Sequence, residues 1–540
     1  MSTQRAEPAD TRMSFLDAAN LTDIHPDLVG VKAANLMRMA AAGLDVPPGF
    51  VLSADVCADY YASGGHLHQD VAVLVARGVA HIEQATGLHF GARRRPLLVS
   101  VRSGAAVSMP GMLDTILDVG LCDDTLPGLL RSTGDPVFVW DSYRRLVASY
   151  AEVVEGCPAA AFAVVTDDAL HRHGVPAASE LDVAAQREIV GHLQDIYQSL
   201  ANRPFPQDPM QQLLGAVEAV LRSWNSHRAV EYRRLEGLTS LAGTAVTVQA
   251  MVFGNLGVTS GSGVGFTRDP ATGEDRLYID FLLNSQGEDV VGGRHDVRDP
   301  DPLIAAIPGL AHKLQTVRRT LEAVFGDAQD FEFTVEDGNL WLLQTRAAKR
   351  TPWAALHIAC ALVDEGLIDQ STALERLRPY DLERVTRFTL APNSDTKSIG
   401  EAVPASTGVA SGRIALDVET ALHYGHQGDP VTLVREEAST EDIAALALCC
   451  GLLTARGART SHAAVVARQL AIVCLVNCLD LVIDLRTRSL RIGGSQLREG
   501  DTITIDGANG RIYVGALELV KERPAELINR VGAWQRGLPA

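Results

Sequence analysis

His462 is the most chemically suggestive residue of the chain. It stands in GLLTARGARTSHAAVVARQLAIVCLVNC, Gly451 to Cys478, directly after Thr460 and Ser461. The run AAVVARQL that follows places apolar residues at helical spacing, so a helix is predicted to begin here. Gly457 lets the chain turn, and Thr460 or Ser461 can supply the N-cap. His462 then falls in the first turn, where unpaired backbone N–H groups disfavour imidazolium and favour added negative charge. A nucleophilic histidine must be neutral, and a phosphorylated imidazole is negative. One position serves both demands. A histidine near a helix start is more often an ordinary solvated or core residue. The chemistry therefore depends on what else the chain brings.

Four upstream stretches carry charged and glycine-rich patterns suited to a phosphate-bearing ligand. Lys32 lies in the entry turn of a helix predicted around Leu36, after Gly30 and before Gly43. Leu97 to Val101 read as a buried strand, and Arg102-Ser103-Gly104 as the turn that leaves it. LGVTSGSGVGFTRDP reads as a glycine-rich loop between strands, able to bring backbone N–H groups close to phosphates. It matches neither the Walker A nor the dinucleotide-binding pattern. In DFEFTVEDGNLWLLQTR, two strands meet at a hairpin turn, Glu336-Asp337-Gly338-Asn339. Alternation puts Glu332, Thr334 and Glu336 on one face of the first strand, and Gln344 and Arg346 on one face of the second. Carboxylate, amide and guanidinium groups so arranged could hold metal, adenine or ribose, and phosphate. A solvated sheet face with a cross-strand ion pair accounts for them as well. Asp141, Arg144 and Arg145 near a predicted helix start could simply pair with one another.

The elements that would position these groups are many. The 540 residues suffice for about three or four domains. A net charge of -18 argues against broad nucleic-acid affinity. The eight cysteines show no disulfide framework and no zinc-site spacing, and read as buried thiols. The N-terminal residues lack a signal core, and no stretch reaches transmembrane length, so a cytoplasmic location is the default.

TARGARTSHAAVVAR resembles the phosphohistidine signature of the pyruvate, phosphate dikinase and phosphoenolpyruvate synthase family. LLVSVRSGAAVSMPGMLDT, LGVTSGSGVGFTRDP with LYIDFLLNSQGEDVVGG, and DFEFTVEDGNLWLLQTRAAKR resemble its nucleotide-binding domain, in the expected order. The chain departs from the family pattern at Ala106, usually arginine, and at Asp280, usually glutamate. It departs again at Ala458 and Arg459, usually glycine and an apolar residue.

The resemblance implies an α/β and α+β multidomain architecture. An ATP-grasp-like nucleotide-binding module of two lobes, 1–350, is followed by a helical connector and linker, 351–399. A swivelling α/β phosphohistidine domain, 400–517, and a helical tail, 518–540, complete it. It further implies a dikinase-type phosphotransferase that uses ATP and Mg2+, with inorganic phosphate as co-substrate. His462, Arg102 and Arg346 are then catalytic. Lys32, Arg102, Thr259, Ser260, Gly261, Gly263, Asp280, Glu332, Gln344 and Arg346 contact nucleotide, with Thr259 to Gly263 as the loop over the phosphates. Glu332 and Asp280 place the metal. Arg144 lies near the catalytic area. Arg435, Thr454, Thr460 and Ser461 surround the phosphohistidine.

Relatives continue into a (β/α)₈ barrel that binds pyruvate or phosphoenolpyruvate, for which the residues after Val514 leave no room. The resemblance is thus to a form without that barrel. The acceptor is pyruvate or another small molecule, and a separate acceptor-binding barrel protein, a homodimer, or a longer enzyme of which this chain is a fragment is compatible with this. No nucleic-acid or membrane partner is implied. The alternatives are a phosphotransferase for a different small molecule, or a non-catalytic, nucleotide-responsive phosphocarrier or interaction module.

Overall fold

The computed structural model describes residues 11–17, 25–107, 109, 113–175, 178–287, 290, 304–392, 396–438, 442–457, 459 and 461–537. The chain forms two compact units. The first is Met1–Leu256 with Trp341–Gln344, the second Gly257–Leu340 with Thr345–Ala540. Each is of mixed α and β structure. No described helix is long and apolar enough to cross a membrane.

In the first unit, five antiparallel strands form a sheet in the order Met13–Phe15, Gly49–Leu52, Ala245–Ala250, Val99–Gly104, Thr115–Val119. Helices including Gln69–Thr86, Pro136–Val153, Val183–Ala201 and Pro209–Ser223 share its core. Asp135, Asp182 and Asp208 cap the last three by accepting backbone N–H bonds in the first turn. The strand Val99–Gly104 runs through Arg102 to Gly104, further than the sequence predicts. Arg102 is held in register with Thr247 on one side and Thr115 on the other, so pairing extends past the residues that read as a turn.

Among the described residues the second unit holds four sheets, one of them the three-stranded Leu481–Asp484, Ser489–Ile492, Ser495–Arg498. Another has the order Asn339–Ala347, Gln329–Glu336, Gly261–Phe266, Tyr278–Leu283. Its hairpin turns at Asp337 and Gly338, both at positive φ (46° and 76°), as a two-residue turn requires. The supposed glycine-rich loop is largely a strand. Gly261, Gly263 and Gly265 all fall in Gly261–Phe266, and loop structure ends at Ser260. Strand register explains the alternation. Gly263 faces Phe333 on one neighbouring strand and Phe281 on the other, and those two rings stack over it with centroids 5.7 Å apart. A Cβ at Gly263 would meet the Phe333 ring and lie 2.9 Å from the Asp280 carbonyl oxygen.

The largest sheet has the order Gly400–Glu401, Arg511–Val514, Thr502–Asp506, Val409–Ala415, Val431–Arg435, Gly451–Thr454, Val473–Val476, Val403–Ser406. The four strands from Val409–Ala415 to Val473–Val476 are parallel. Helices Val418–His426, Ile443–Leu446 and His462–Gln469 lie between them in sequence. Alternation sorts the side chains into two cores. Val431, Leu433, Leu452 and Cys474 pack with helix alanines Ala421, Ala445, Ala464 and Ala467. Val434, Leu453 and Leu475 pack with Leu490, Ile492 and Ile503 on the opposite face.

The tail is not purely helical. Leu519–Glu522 is a strand paired antiparallel with Arg387–Leu390, and Arg387 Nε donates to Glu522 Oε2 at 2.7 Å. Pro524 ends the extended segment, and the helix Ala525–Gln535 then packs Ile528, Val531 and Trp534 against connector helices Pro352–Asp364 and Gln370–Leu377.

Gly263→Ala will lower stability by about 1–3 kcal/mol, because an added methyl overfills a packed site. Urea unfolding monitored by tryptophan fluorescence will show the lowered midpoint. A glycine serving only a phosphate would leave that midpoint unchanged and lower nucleotide affinity alone.

Candidate functional site

In the first unit, Lys32 and Arg102 are carried to one corner of the five-stranded sheet. Gly30, at φ 80°, precedes the helix Val31–Ala41, and a side chain there would strike the Gly104 carbonyl. The Val31 N–H donates to Ala105 O at 3.0 Å. The first turn bearing Lys32 is thereby set against the end of the strand bearing Arg102. Arg144 is bound differently. Its Nε and Nη2 donate to Asp141 Oδ1 at 3.0 and 2.6 Å, and Arg145 Nε donates to Asp141 Oδ2 at 2.8 Å. Burial opposes ionisation of Asp141, but the two guanidiniums outweigh it and hold the carboxyl below the usual range. Gln344 belongs to the first unit and Arg346 to the second.

In the four-stranded sheet, Glu332, Val264 and Asp280 are direct cross-strand partners, so both carboxylates share one face. Their Cα atoms are separated by two strand spacings, about 10 Å. Arg346 Nε donates to Asp330 Oδ2 at 2.8 Å. Burial raises the Asp330 carboxyl, and Arg346 pulls it back in part. Thr259 and Ser260 are tied to the hairpin turn. Thr259 Oγ1 donates to Asp337 Oδ1 at 3.0 Å, and Ser260 Oγ accepts from the Asp337 N–H at 3.0 Å.

Asp280 is fully buried, and its Oδ1 accepts from Arg459 Nε at 2.7 Å. Arg459 Nη2 donates to Ile279 O at 2.6 Å, and the guanidinium lies 4.2 Å from the Tyr278 ring centroid. Burial alone would lower the Arg459 pKa. The negative charge of Asp280 and the Tyr278 hydroxyl reverse this and keep it protonated. Burial pushes the Tyr278 phenol up to about 12.

Among the described residues, no group of three or more His, Cys, Asp or Glu could hold a metal ion. Magnesium characteristically takes one or two protein carboxylates and fills its shell with phosphate and water oxygens. Glu332, half-buried, fits that use. Asp280 keeps one buried oxygen, Oδ2, without a hydrogen-bond partner among the described residues. Its other oxygen is already matched to a cation. In this arrangement Asp280 serves Arg459 rather than a metal.

In the large sheet, Arg435 and Thr454 are register partners at the carboxyl ends of adjacent parallel strands. Arg435 is ion-paired to Asp442 at 3.1 Å and donates to Leu416 O at 3.1 Å. Thr454 is buried, with a hydroxyl lacking a partner among the described residues. The chain leaving Thr454 leads to the helix His462–Gln469. Ser461 is its N-cap, accepting from the Ala464 N–H at 3.4 Å. His462 is therefore the first helical residue. Its backbone is described and its side chain is not; Thr460 and Ala458 lie outside the described residues. Carboxyl ends of parallel strands are where open α/β sheets bind ligands.

Sequence reasoning noted Arg459 and Asp280 separately, as departures from a family pattern, and gave them no partner. Opposite charges at two departures were the available signal. Arg468 was missed altogether. It is fully buried, donates to Ala405 O at 3.1 Å and Arg459 O at 3.0 Å, and lies over the Phe266 ring.

Two family models match the chain. The pyruvate phosphate dikinase AMP/ATP-binding domain covers residues 67–311, and the mobile domain of PEP-utilising enzymes covers 427–510. Pyruvate, phosphate dikinase of Clostridium symbiosum is 41% identical over 514 residues, spanning 94% of this chain and 58% of that protein. The protein of the same name from Rhizobium meliloti is 40% identical over 523 residues, again 94% and 58%. Pyruvate, phosphate dikinase 2 of Zea mays is 41% identical over 491 residues, 91% and 56%. The chain therefore spans a little over half the length of these relatives. Glycine-bearing strand, acid-lined sheet and capped His462 helix all lie within the shared sequence, and the chain belongs to the pyruvate, phosphate dikinase family.

Proposed function

We propose that the chain carries the nucleotide half-reaction of a dikinase-type phosphotransferase. Its nucleotide-binding region is an ATP-grasp-like module, and the region around His462 is a swivelling phosphohistidine domain. The observation that carries this reading is the position of His462 as the first residue of a capped helix that follows the carboxyl end of a parallel strand.

MgATP is the donor. A neutral imidazole nitrogen of His462 bonds to the β-phosphorus as the bond to the AMP oxygen breaks, and AMP leaves. The γ-phosphoryl then passes to inorganic phosphate and departs as pyrophosphate, leaving the β-phosphoryl on His462. Lys32, Arg102 and Arg346 neutralise the migrating charge, which phosphoryl transfer needs more than a strong base. Glu332 would hold magnesium, which clamps the phosphate oxygens when bound. Gln344 contacts the nucleotide, and Thr259, Ser260 and the strand start at Gly261 border the phosphates. Arg435, Thr454 and Ser461 surround the phosphorylated residue. Onward transfer is to pyruvate or another small molecule bound elsewhere. A phosphocarrier without turnover would keep ATP binding and lose product formation.

Purified protein incubated with MgATP and phosphate will release AMP and pyrophosphate in equal amounts, and His462→Ala will release neither. Binding of ATP without AMP release would reject the reading in favour of a binding module. Loss of the γ-phosphoryl from the enzyme at the same rate without added phosphate, as free phosphate in place of pyrophosphate, would reject phosphate as the γ acceptor.

Arg346→Lys keeps a cation beside Asp330 but loses the planar fork. The AMP-forming rate will fall on the order of 10²-fold, with little change in ATP affinity by calorimetry. Equal loss of both would assign Arg346 to ground-state binding.

A further inference from the structure

The pair Arg459–Asp280 is built more closely than a surface ion pair. Side-chain exposure is 16% for Arg459 and zero for Asp280. One guanidinium makes three interactions with three consecutive residues of a single strand: the Tyr278 ring, the Ile279 carbonyl and the Asp280 carboxylate. Arg468 braces it from behind by donating to the Arg459 carbonyl. Tyr278 also donates its hydroxyl to Pro404 O at 3.0 Å. These contacts join the edge strand of the four-stranded sheet to the loop that carries His462, three residues beyond Arg459.

We propose that Arg459 is a positioning residue: by seating on Asp280 it docks the His462 loop against the nucleotide-binding sheet, and its release lets the loop leave. This deepens the reading under Proposed function and rests on it for the positioning role. The physical basis is charge burial. With Arg459 in place, the Asp280 carboxylate is compensated. Without it, a buried carboxylate is left unpaired, and hydrating it requires the two surfaces to part. Docking is therefore all-or-none at this contact. The planar fork makes lysine a poor substitute, since one ammonium on a flexible stem does not reproduce the paired geometry and the ring contact.

The test compares wild type with Arg459→Met, Asp280→Asn and the double variant. Hydrogen exchange of peptides covering Tyr278–Leu283, without nucleotide, reads docking. The formation rate of acid-labile phosphate from MgATP reads positioning. Arg459→Met is expected to raise exchange in that strand and slow phosphohistidine formation roughly tenfold or more, with the KM for ATP unchanged. The near-isosteric Asp280→Asn guards against a folding defect, and the double variant will be no slower than the slower single. Arg459→Lys will recover part of the rate. Unchanged exchange and rate in Arg459→Met, or losses that multiply in the double variant, would overturn the proposal. Wild type that forms no phosphohistidine would overturn the function reading instead, while exchange still decides docking.

Discussion

A carboxylate shut away from water must be matched by a cation or lose its charge, and that constraint organises the second unit around Asp280. The residue sits on the edge strand of an acid-bearing sheet, opposite Val264 and in line with Glu332. Its charge is met by Arg459, 179 residues away in sequence. Burial of a lone ion costs several kcal/mol, so the two segments are coupled wherever the pair is intact. The reverse face of the same sheet is packed by Phe281, Phe331 and Phe333 over the three glycines. The acid-bearing face is packed as well, since Val264, Phe266 and Tyr278 share a core with Ala354, Ile358 and Leu362.

The large sheet is likewise packed on both faces. Its strands alternate between an alanine-rich helical core and an Ile/Leu-rich core, which fixes their register and brings their carboxyl ends into line. Arg435 and Thr454 occupy those ends, and the chain beyond Thr454 delivers His462 to the start of a helix capped by Ser461. Backbone N–H groups at a helix start favour neutral over protonated imidazole and stabilise a bound phosphoryl group. In the proposed chemistry this local backbone geometry serves both roles of His462.

Much of this was legible in the sequence because it is encoded locally. The Asp337-Gly338 turn, the helix after Gly30 and the helix at His462 each follow from turn residues, caps and periodicity within a dozen positions. The ordered family blocks supplied the functional frame. Three features were not legible. The run GSGVGF reads as a loop by composition, and only the phenylalanines of neighbouring strands explain why it is a strand. The tail contains LVKE as a strand because Arg387–Leu390, far upstream, offers it an edge. The Arg459–Asp280 pair leaves no periodicity at all, being a long-range match of charges between two positions that each look like local exceptions.

The proposed chemistry requires His462 to be a covalent phosphoryl carrier. The most direct measurement is mass spectrometry of the peptide spanning Gly451 to Cys478 after incubation with MgATP and phosphate and an alkaline quench. One phosphoryl increment on His462, stable in alkali and lost in acid, is the predicted result. An unmodified peptide, or an increment that persists at another residue in His462→Ala, would contradict it.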